Sequence, residues 1–459
     1  MKIISFTMVN NESEIIESFV RYNYNFVDEM IFIDNGCTDN TIKILRNLIS
    51  DGYKIRIFDE SLEPFNQYEL DNKYLNKIID ELDPDLILPL DADEFVIADG
   101  NPREMMEKLD LNKIHYVNWQ WYVLTDDDDK DELFIPRKLN YRLRKTVWNY
   151  SDKTPVTKVI IPARYYKKMH LTLSMGHHTV FGNDKVEIDN IFNIRFAHYR
   201  ATSEEQLIYK TCCFTMRDIA TMSNNSETAQ RTNQMHLIES GNDMWETAVT
   251  SSYAGYPRDI VHDPIDLKYC DKEALNIKYG SLAKESVSTR ILRTGQEMAI
   301  RAYNVERSIK EKKFLKPVVF WLDGVRKTDV VMPLPSNHLT LLTAKYNVRA
   351  YVTMYDEIKF LKVNYRLIVT PEQVKFIPHS YIVVPDTVDI KEVKKLLSEK
   401  NFSSDNVITL SEYKSKLGIA GRIYSCIAMI PSLIERVRQY IKRNGLSATI
   451  KKIKERIGK

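Results

Sequence analysis

Apolar and polar positions along the first third of the chain alternate between two periods. Ile3 to Met8 is an apolar run and reads as a buried strand. Glu12 to Tyr24 carries Ile15, Ile16, Phe19 and Val20 at helical spacing, which predicts an amphipathic helix. Glu29 to Ile33 is a second apolar strand that ends on Asp34, with Asn35-Gly36 as the turn. Thr38 or Asp39 can cap the next helix, through Ile42, Leu45 and Leu48. Lys54 to Phe58 follows as a strand, Tyr68 to Leu82 as a helix stopped by Asp83-Pro84, and Leu86 to Leu90 as a short apolar strand. Strands alternating with helices imply a mostly parallel sheet covered on both faces. Such sheets bind ligands beyond the carboxyl ends of their strands. Three polar clusters fall at such ends: Val9-Asn10-Asn11-Glu12, Asp34-Asn35-Gly36 and Asp91-Ala92-Asp93.

The pattern then changes. Residues 114 to 196 are strand-rich, with Val117 to Leu124, Val156 to Ile161 and the region around His177 as strands, and with the acidic run Asp126 to Asp129 as a solvated loop. Residues 203 to 310 read as mainly helical and polar. After Lys310-Glu311-Lys312-Lys313 a second strand–helix alternation begins. Its strands are Pro317 to Leu322, Val348 to Met354, Tyr365 to Val369, Ser380 to Val384 and Val407 to Leu410, with a helix over Ile390 to Lys400. A dinucleotide site there would need G-x-G-x-x-G after the first strand, but the sequence reads Trp321-Leu322-Asp323-Gly324-Val325-Arg326. No NAD is expected. The last stretch, Tyr413 to Lys459, is basic and carries isoleucines at three- and four-residue spacing, the pattern of a helix that lies on an anionic membrane surface.

Composition adds limits. The chain has 459 residues, too many for one ordinary core, and a net charge of +2, which gives no global field for nucleic acid. Five scattered cysteines lack metal-type spacing and fit a reducing cytosol. The N-terminal apolar run is too short for a signal peptide, and no apolar stretch reaches the roughly 20 residues of a membrane span. The expectation is a cytoplasmic protein attached peripherally to the inner membrane face. A homo-oligomer is possible.

Asp91 and Asp93 are two apart at a strand end, so in extended chain both point to one face. Carboxylates so placed can hold a hard divalent ion, Mn2+ or Mg2+, that neutralises a leaving diphosphate. Three ordered segments carry a resemblance. Met8-Val9-Asn10-Asn11-Glu12, then Phe32-Ile33-Asp34-Asn35-Gly36-Cys37-Thr38-Asp39-Asn40-Thr41, then Leu90-Asp91-Ala92-Asp93-Glu94-Phe95 closely resemble the family-two-like glycosyltransferases of the GT-A fold. The likeness covers roughly residues 1 to 210. It implies an α/β Rossmann-like catalytic domain, a nucleoside diphosphate sugar donor, often UDP-linked, and a divalent metal. It places the metal on Asp91 and Asp93, the nucleobase at Asp34 and Asn35, and the nucleoside beside Val9, Asn11 and Glu12. Cys37 stands where the family usually has Ser. Phe196-Ala197-His198-Tyr199-Arg200 resembles the His-Tyr element after the sheet, which makes His198 a further metal ligand candidate. Arg200 and Lys210 can meet diphosphate or be plain surface cations, and Lys73 and Lys158 carry the same two readings.

An inverting transfer needs a base for the acceptor proton. Glu94 ranks first, ahead of His177, His178 and the 126–129 loop, while Asp93 serves catalysis through the metal. A structural carboxylate is an equal reading of Glu94. The resulting expectation is sugar transfer to a glycan or lipid-linked acceptor in capsule or other cell-surface polysaccharide synthesis. The rivals are a non-catalytic glycan-binding subunit and a sugar nucleotidyltransferase, which should carry a Gly-rich loop where this chain has none. The expected divisions are a catalytic domain over 1–210, its helical extension over 211–312, a small Rossmann-like domain over 313–411 and an amphipathic helical tail over 412–459.

Overall fold

The computed structural model describes residues 1–63, 65–145, 157–221, 228–253, 256–272, 275–308, 315–322, 342, 345–354, 362–363, 366–399, 402–418 and 421. The basic tail from 422 onward, Cys426 and the segment 323–326 lie outside the described residues. The chain forms two compact units, Met1–Met298 and Ala299–Lys459.

In the first unit β1 (Ile3–Val9), β2 (Glu29–Asp34), β3 (Ile55–Asp59) and β4 (Leu86–Pro89) form a parallel array in the order β3-β2-β1-β4. Period-two alternation distributes their side chains to two cores. Ile3, Met30, Phe32, Leu86 and Leu88 face one core with Phe19 and Leu45 of the helices Ile16–Asn23 and Thr41–Ser50. Ile4, Phe6, Ile31, Ile33 and Ile87 face the other with Tyr74, Leu75 and Ile78 of the helix Gln67–Leu82. Asn66 caps that helix by accepting from the Glu69 amide, and Asp83 ends it in the left-handed region at φ 41°. This is the covered Rossmann-like sheet that the pattern predicts. The first helix begins at Ile16 rather than Glu12, because residues 12–15 form a turn in which the Glu12 carbonyl accepts from the Ile15 and Ile16 amides.

The sheet continues beyond β4 through an antiparallel strand and becomes mixed. Chain order then runs β5 (Glu94–Ala98), β6 (Ile114–Tyr122), β7 (Tyr141–Leu143), β8 (Thr157–Pro162), β9 (Thr172–Leu173), β10 (Val180–Phe181), β11 (Ile188–Tyr199) and β12 (Ile260–His262). β8 lies antiparallel between β4 and β6, β7 pairs with β6 and β12, and β11 bridges β5 and β6. The region around His177 is not a strand: it is a tight turn, Met175–His177, between β9 and β10. Gly176 and His177 both have positive φ there, which breaks the ladder. Helices Glu204–Thr221, Thr228–Glu239, Trp245–Ser252 and Val287–Ser308 make up the expected helical region.

The second unit holds β13 (Val318–Trp321), β14 (Val348–Val352), β15 (Lys362–Val363), β16 (Arg366–Val369), β17 (Tyr381–Val384) and β18 (Val407–Thr409) in the order β15-β16-β14-β13-β17-β18. All pairings are parallel except β15 with β16. With β15 set aside, the order is that of a small doubly wound sheet. Among the described residues, no helix is long and apolar enough to cross a membrane.

Candidate functional site

In the order β3-β2-β1-β4 the strand order switches direction between β1 and β4, and sheets of this kind bind ligands in the crevice outside the carboxyl ends of the strands at such a switch point. Val9 ends β1, buried against the sheet, and Asn10-Asn11-Glu12 leave it. Asn11 sits at φ 66°, which Asn tolerates better than most residues. Its Oδ1 accepts from the amides of Thr38 at 2.6 Å and Asp39 at 3.0 Å. The Asn11 amide in turn donates to Cys37 Sγ at 3.3 Å, so the thiol fills the acceptor role at this turn. Asp34 Oδ1 accepts from the amides of Gly36 and Cys37 at 3.0 and 2.7 Å. Asn35 Nδ2 donates to the carbonyls of Glu60 and Glu63. The positions that the resemblance gives to the nucleoside are thus the pins of three loops, and they hold the pocket wall in shape.

Glu12 faces Lys210 of the helix Glu204–Thr221, with Oε2 and Nζ 3.3 Å apart. Burial pushes the Glu12 carboxyl up to about 7, against the pull of Lys210. Arg200 follows β11, with its guanidinium 5.7 Å from the Trp121 ring centre. Lys73 is placed elsewhere: its ammonium pairs with Glu60 and is more than half exposed.

The segment 91–94 is a turn, closed by the Glu94 amide donating to the Asp91 carbonyl at 3.0 Å. Asp91 and Asp93 therefore take different partners. Asp93 Oδ2 lies 3.4 Å from His198 Nε2. β11 delivers that imidazole, because His198 is in register with Glu94 on one side and Trp121 on the other. Burial holds His198 below its ordinary pKa despite the pull of Asp93. Burial also opposes ionisation of Asp93, and His198 and Lys210 more than offset it. Two ligands at about 2.1 Å from one ion and at right angles stand about 3.0 Å apart. The Asp93–His198 pair fits that spacing, and its donor types suit Mn2+. His198 Nδ1 is buried without a hydrogen-bond partner.

Asp91 is held by a different group. Its Oδ2 lies 2.7 Å from Lys158 Nζ, and its Oδ1 accepts from Gln67 Nε2 at 3.3 Å. Burial alone would raise its pKa, but Lys158 and His177 outweigh that and keep it strongly ionised. His177 Nε2 is 2.8 Å from Asp71 Oδ2, and its Nδ1 faces Asp91 Oδ1 at 3.7 Å. His178 Nδ1 pairs with the Thr157 carbonyl at 2.9 Å. Asp71, 1% exposed, was not apparent as a site residue; its signal was a carboxylate on the apolar face of the helix Gln67–Leu82.

Glu94 is brought onto the same side as Asp91 by the turn, yet it has no exposed surface. Its Oε2 accepts from the Asp91 amide at 2.9 Å and its Oε1 lies 2.7 Å from Lys158 Nζ. It supports Asp91 from beneath and does not face the crevice as a base for an acceptor would. Burial pushes its carboxyl up to about 7, against Lys158. A raised carboxyl pKa adds stability that is complete below about 4.5 and is lost as pH rises through about 7. Urea melts of the metal-free protein should therefore show a fall in unfolding free energy from pH 4.5 to 7.5 that is smaller in Glu94→Gln. Equal slopes in the two proteins would count against this assignment.

Comparison with known proteins gives one curated relative and several loosely similar structures. No family model matches the chain. The chain is similar to an uncharacterised glycosyltransferase of Rickettsia bellii (strain RML369-C), with 27% identity over 221 residues that cover 46% of this chain and 63% of that protein. It thus spans less than two thirds of the relative. Among solved structures, the S. aureus TarS fragment 1–349 shares 12% identity at a TM-score of 0.26, covering 50% of this chain and 68% of that one. GlyE of Streptococcus pneumoniae TIGR4, a glycosyltransferase, shares 11% identity at a TM-score of 0.25, covering 92% and 99%. Glucosyl-3-phosphoglycerate synthase from Mycobacterium tuberculosis shares 18% identity at a TM-score of 0.20, covering 26% and 44%.

Proposed function

We propose that the first unit transfers a sugar from a nucleoside diphosphate sugar, UDP-linked, to a hydroxyl of a glycan or lipid-linked acceptor, with inversion and in the service of cell-surface polysaccharide synthesis. The observation that carries this reading is the Asp93–His198 pair at 3.4 Å, set beside Asn11 and Glu12 where the sheet changes direction. The named relative supports the reaction class. A divalent ion held by Asp93 and His198 would supply charge to the departing diphosphate.

The chain's own groups shape the rest. Asn11, Asp34 and Asn35 fix the loops against which the nucleoside would lie. Lys210, its charge favoured by Glu12 and Asp93 over the cost of burial, places a cation on the same wall. Glu94 anchors the Asp91 main-chain amide, and Lys158 and His177 keep the Asp91 carboxylate ionised, with 34% of that side chain exposed.

Calorimetry with UDP- and GDP-sugars, with and without Mn2+, tests this together with donor hydrolysis. The expected result is Mn2+-dependent binding of a UDP-sugar and its slow hydrolysis. Binding without hydrolysis or transfer would favour a glycan-assembly subunit, and absence of binding would overturn the reading.

The basic tail extends the proposal to peripheral attachment at an anionic membrane face. Deleting residues 413–459 is expected to abolish co-sedimentation with phosphatidylglycerol liposomes, and unchanged sedimentation would refute it.

A further inference from the structure

We propose that Lys158 is a resident cation that fills the seat between Asp91 and Glu94, so that a divalent ion is confined to Asp93 and His198. Its second clause rests on the metal-dependent reading above; its first does not.

The Lys158 side chain is 1% exposed. Its ammonium has 2.7 Å to Asp91 Oδ2, 2.7 Å to Glu94 Oε1 and 2.8 Å to the Gly176 carbonyl. The Asp91 carboxylate and the Gly176 carbonyl accept hydrogen bonds from it, and Glu94 Oε1 stands beside it as an ion-pair partner. The Trp119 ring, centred 4.5 Å from Nζ, covers it further. The carbonyl reaches inward because Gly176 and His177 both adopt positive φ, at 71° and 58°.

With the ammonium removed, the same atoms are a set for a hard cation. Asp91, Glu94 and His177 offer two carboxylate oxygens and a ring nitrogen within 4.8 Å of one another, and the Gly176 carbonyl adds a fourth donor. His177 is fully buried and its Nδ1, 3.7 Å from Asp91 Oδ1, has no hydrogen-bond partner. A divalent ion needs oxygen ligands at about 2.1 Å. An ion on these carboxylates would stand almost against Nζ, with like charges and no water between them. The lysine and the ion therefore exclude one another.

The Asp93–His198 pair is free of that conflict. Trp119 separates the two environments, since its ring lies 4.1 Å from the His198 ring and also covers the ammonium. In this arrangement Asp91 is held by lysine and not by metal, and the two aspartates of the Asp91-Ala92-Asp93 turn divide their work.

The experiment counts Mn2+ bound to the full chain by the loss of the free-ion paramagnetic resonance signal. Lys158→Ala is expected to bind one more ion per chain than the parent, whether the parent binds one or none. Lys158→Gln, with a shorter uncharged stem whose amide oxygen can join the ligands, is the second variant, expected to gain the same ion. On the parent's own ion, nitrogen hyperfine coupling should vanish in His198→Gln and persist in His177→Gln. A parent-level Mn2+ count in whichever variant is folded by circular dichroism, or coupling lost in His177→Gln, would overturn the proposal. Donor hydrolysis measured in parallel decides the transferase reading independently.

Discussion

Asp93→Ala is expected to lower donor turnover by about 100- to 1,000-fold, the range seen when one preorganised stabiliser of developing charge is removed. The carboxylate is the anionic half of the Asp93–His198 pair, and among the described residues no other carboxylate is paired with that imidazole. Its 18% exposure leaves room for diphosphate oxygens or water in the remaining ligand positions. Its main-chain carbonyl accepts from the Tyr199 amide at 3.0 Å, a bond that alanine keeps. The loss should therefore appear in turnover and Mn2+ affinity while the thermal melt stays close to the parent. Asp93→Asn should be nearly as impaired, because an amide keeps the shape but not the charge. Parent-level hydrolysis in either variant would remove the metal assignment.

Arg290→Met is expected to cost about 3–5 kcal/mol of stability, the usual consequence of leaving buried charge without its partner. Arg290 is 1% exposed on the helix Val287–Ser308. Its guanidinium pairs with Glu14, approaches Asp39 Oδ2 at 3.8 Å and stacks 3.8 Å from the Tyr209 ring centre. The Asp39 side chain is buried and also receives the Ser13 and Thr41 amides. Methionine fills the volume yet leaves both carboxylates without their cation. At roughly 2–4 °C per kcal/mol, the melting temperature should fall by on the order of 10 °C. A drop of one or two degrees would show that water or rearrangement compensates the pair.

The parallel half of the first sheet was legible because it is covered on both faces. Phe32 and Leu88 belong to unbroken apolar runs, Ile3 to one interrupted only by the buried Ser5 and Thr7, and between them the helical periods are clean. The fate of residues 94–199 was less legible for a physical reason. β5, β6, β8 and β11 pair across long separations, and nothing in the local pattern of Ile188–Tyr199 names its partners. The site divided the same way. Asn11, Asp34 and the Asp91–Asp93 pair stand at strand ends that periodicity can locate. The Asp71–His177 contact joins a helix to a turn 106 positions later, and the two ion-pair partners of Lys158 are visible only once β8 lies beside β4. Lys73, by contrast, looked like a phosphate contact and is occupied by Glu60.

The order in which these strands occur along the chain sets a timetable for synthesis. β1 to β4 need only neighbours within the first 89 residues, so this array can assemble while the ribosome is still translating the rest. β8, which carries Lys158, then closes on β4, and His198 arrives with β11. β12, residues 260–262, is the last strand to join the sheet, on β7. Pairings of such sequence separation form slowly. Until they do, the turn after β4 carries Asp91, Asp93 and Glu94 with neither lysine nor imidazole to balance them. A nascent chain stalled before residue 157 would therefore present an assembled parallel half with a bare acidic rim, the stage at which the first unit is most exposed to misassembly.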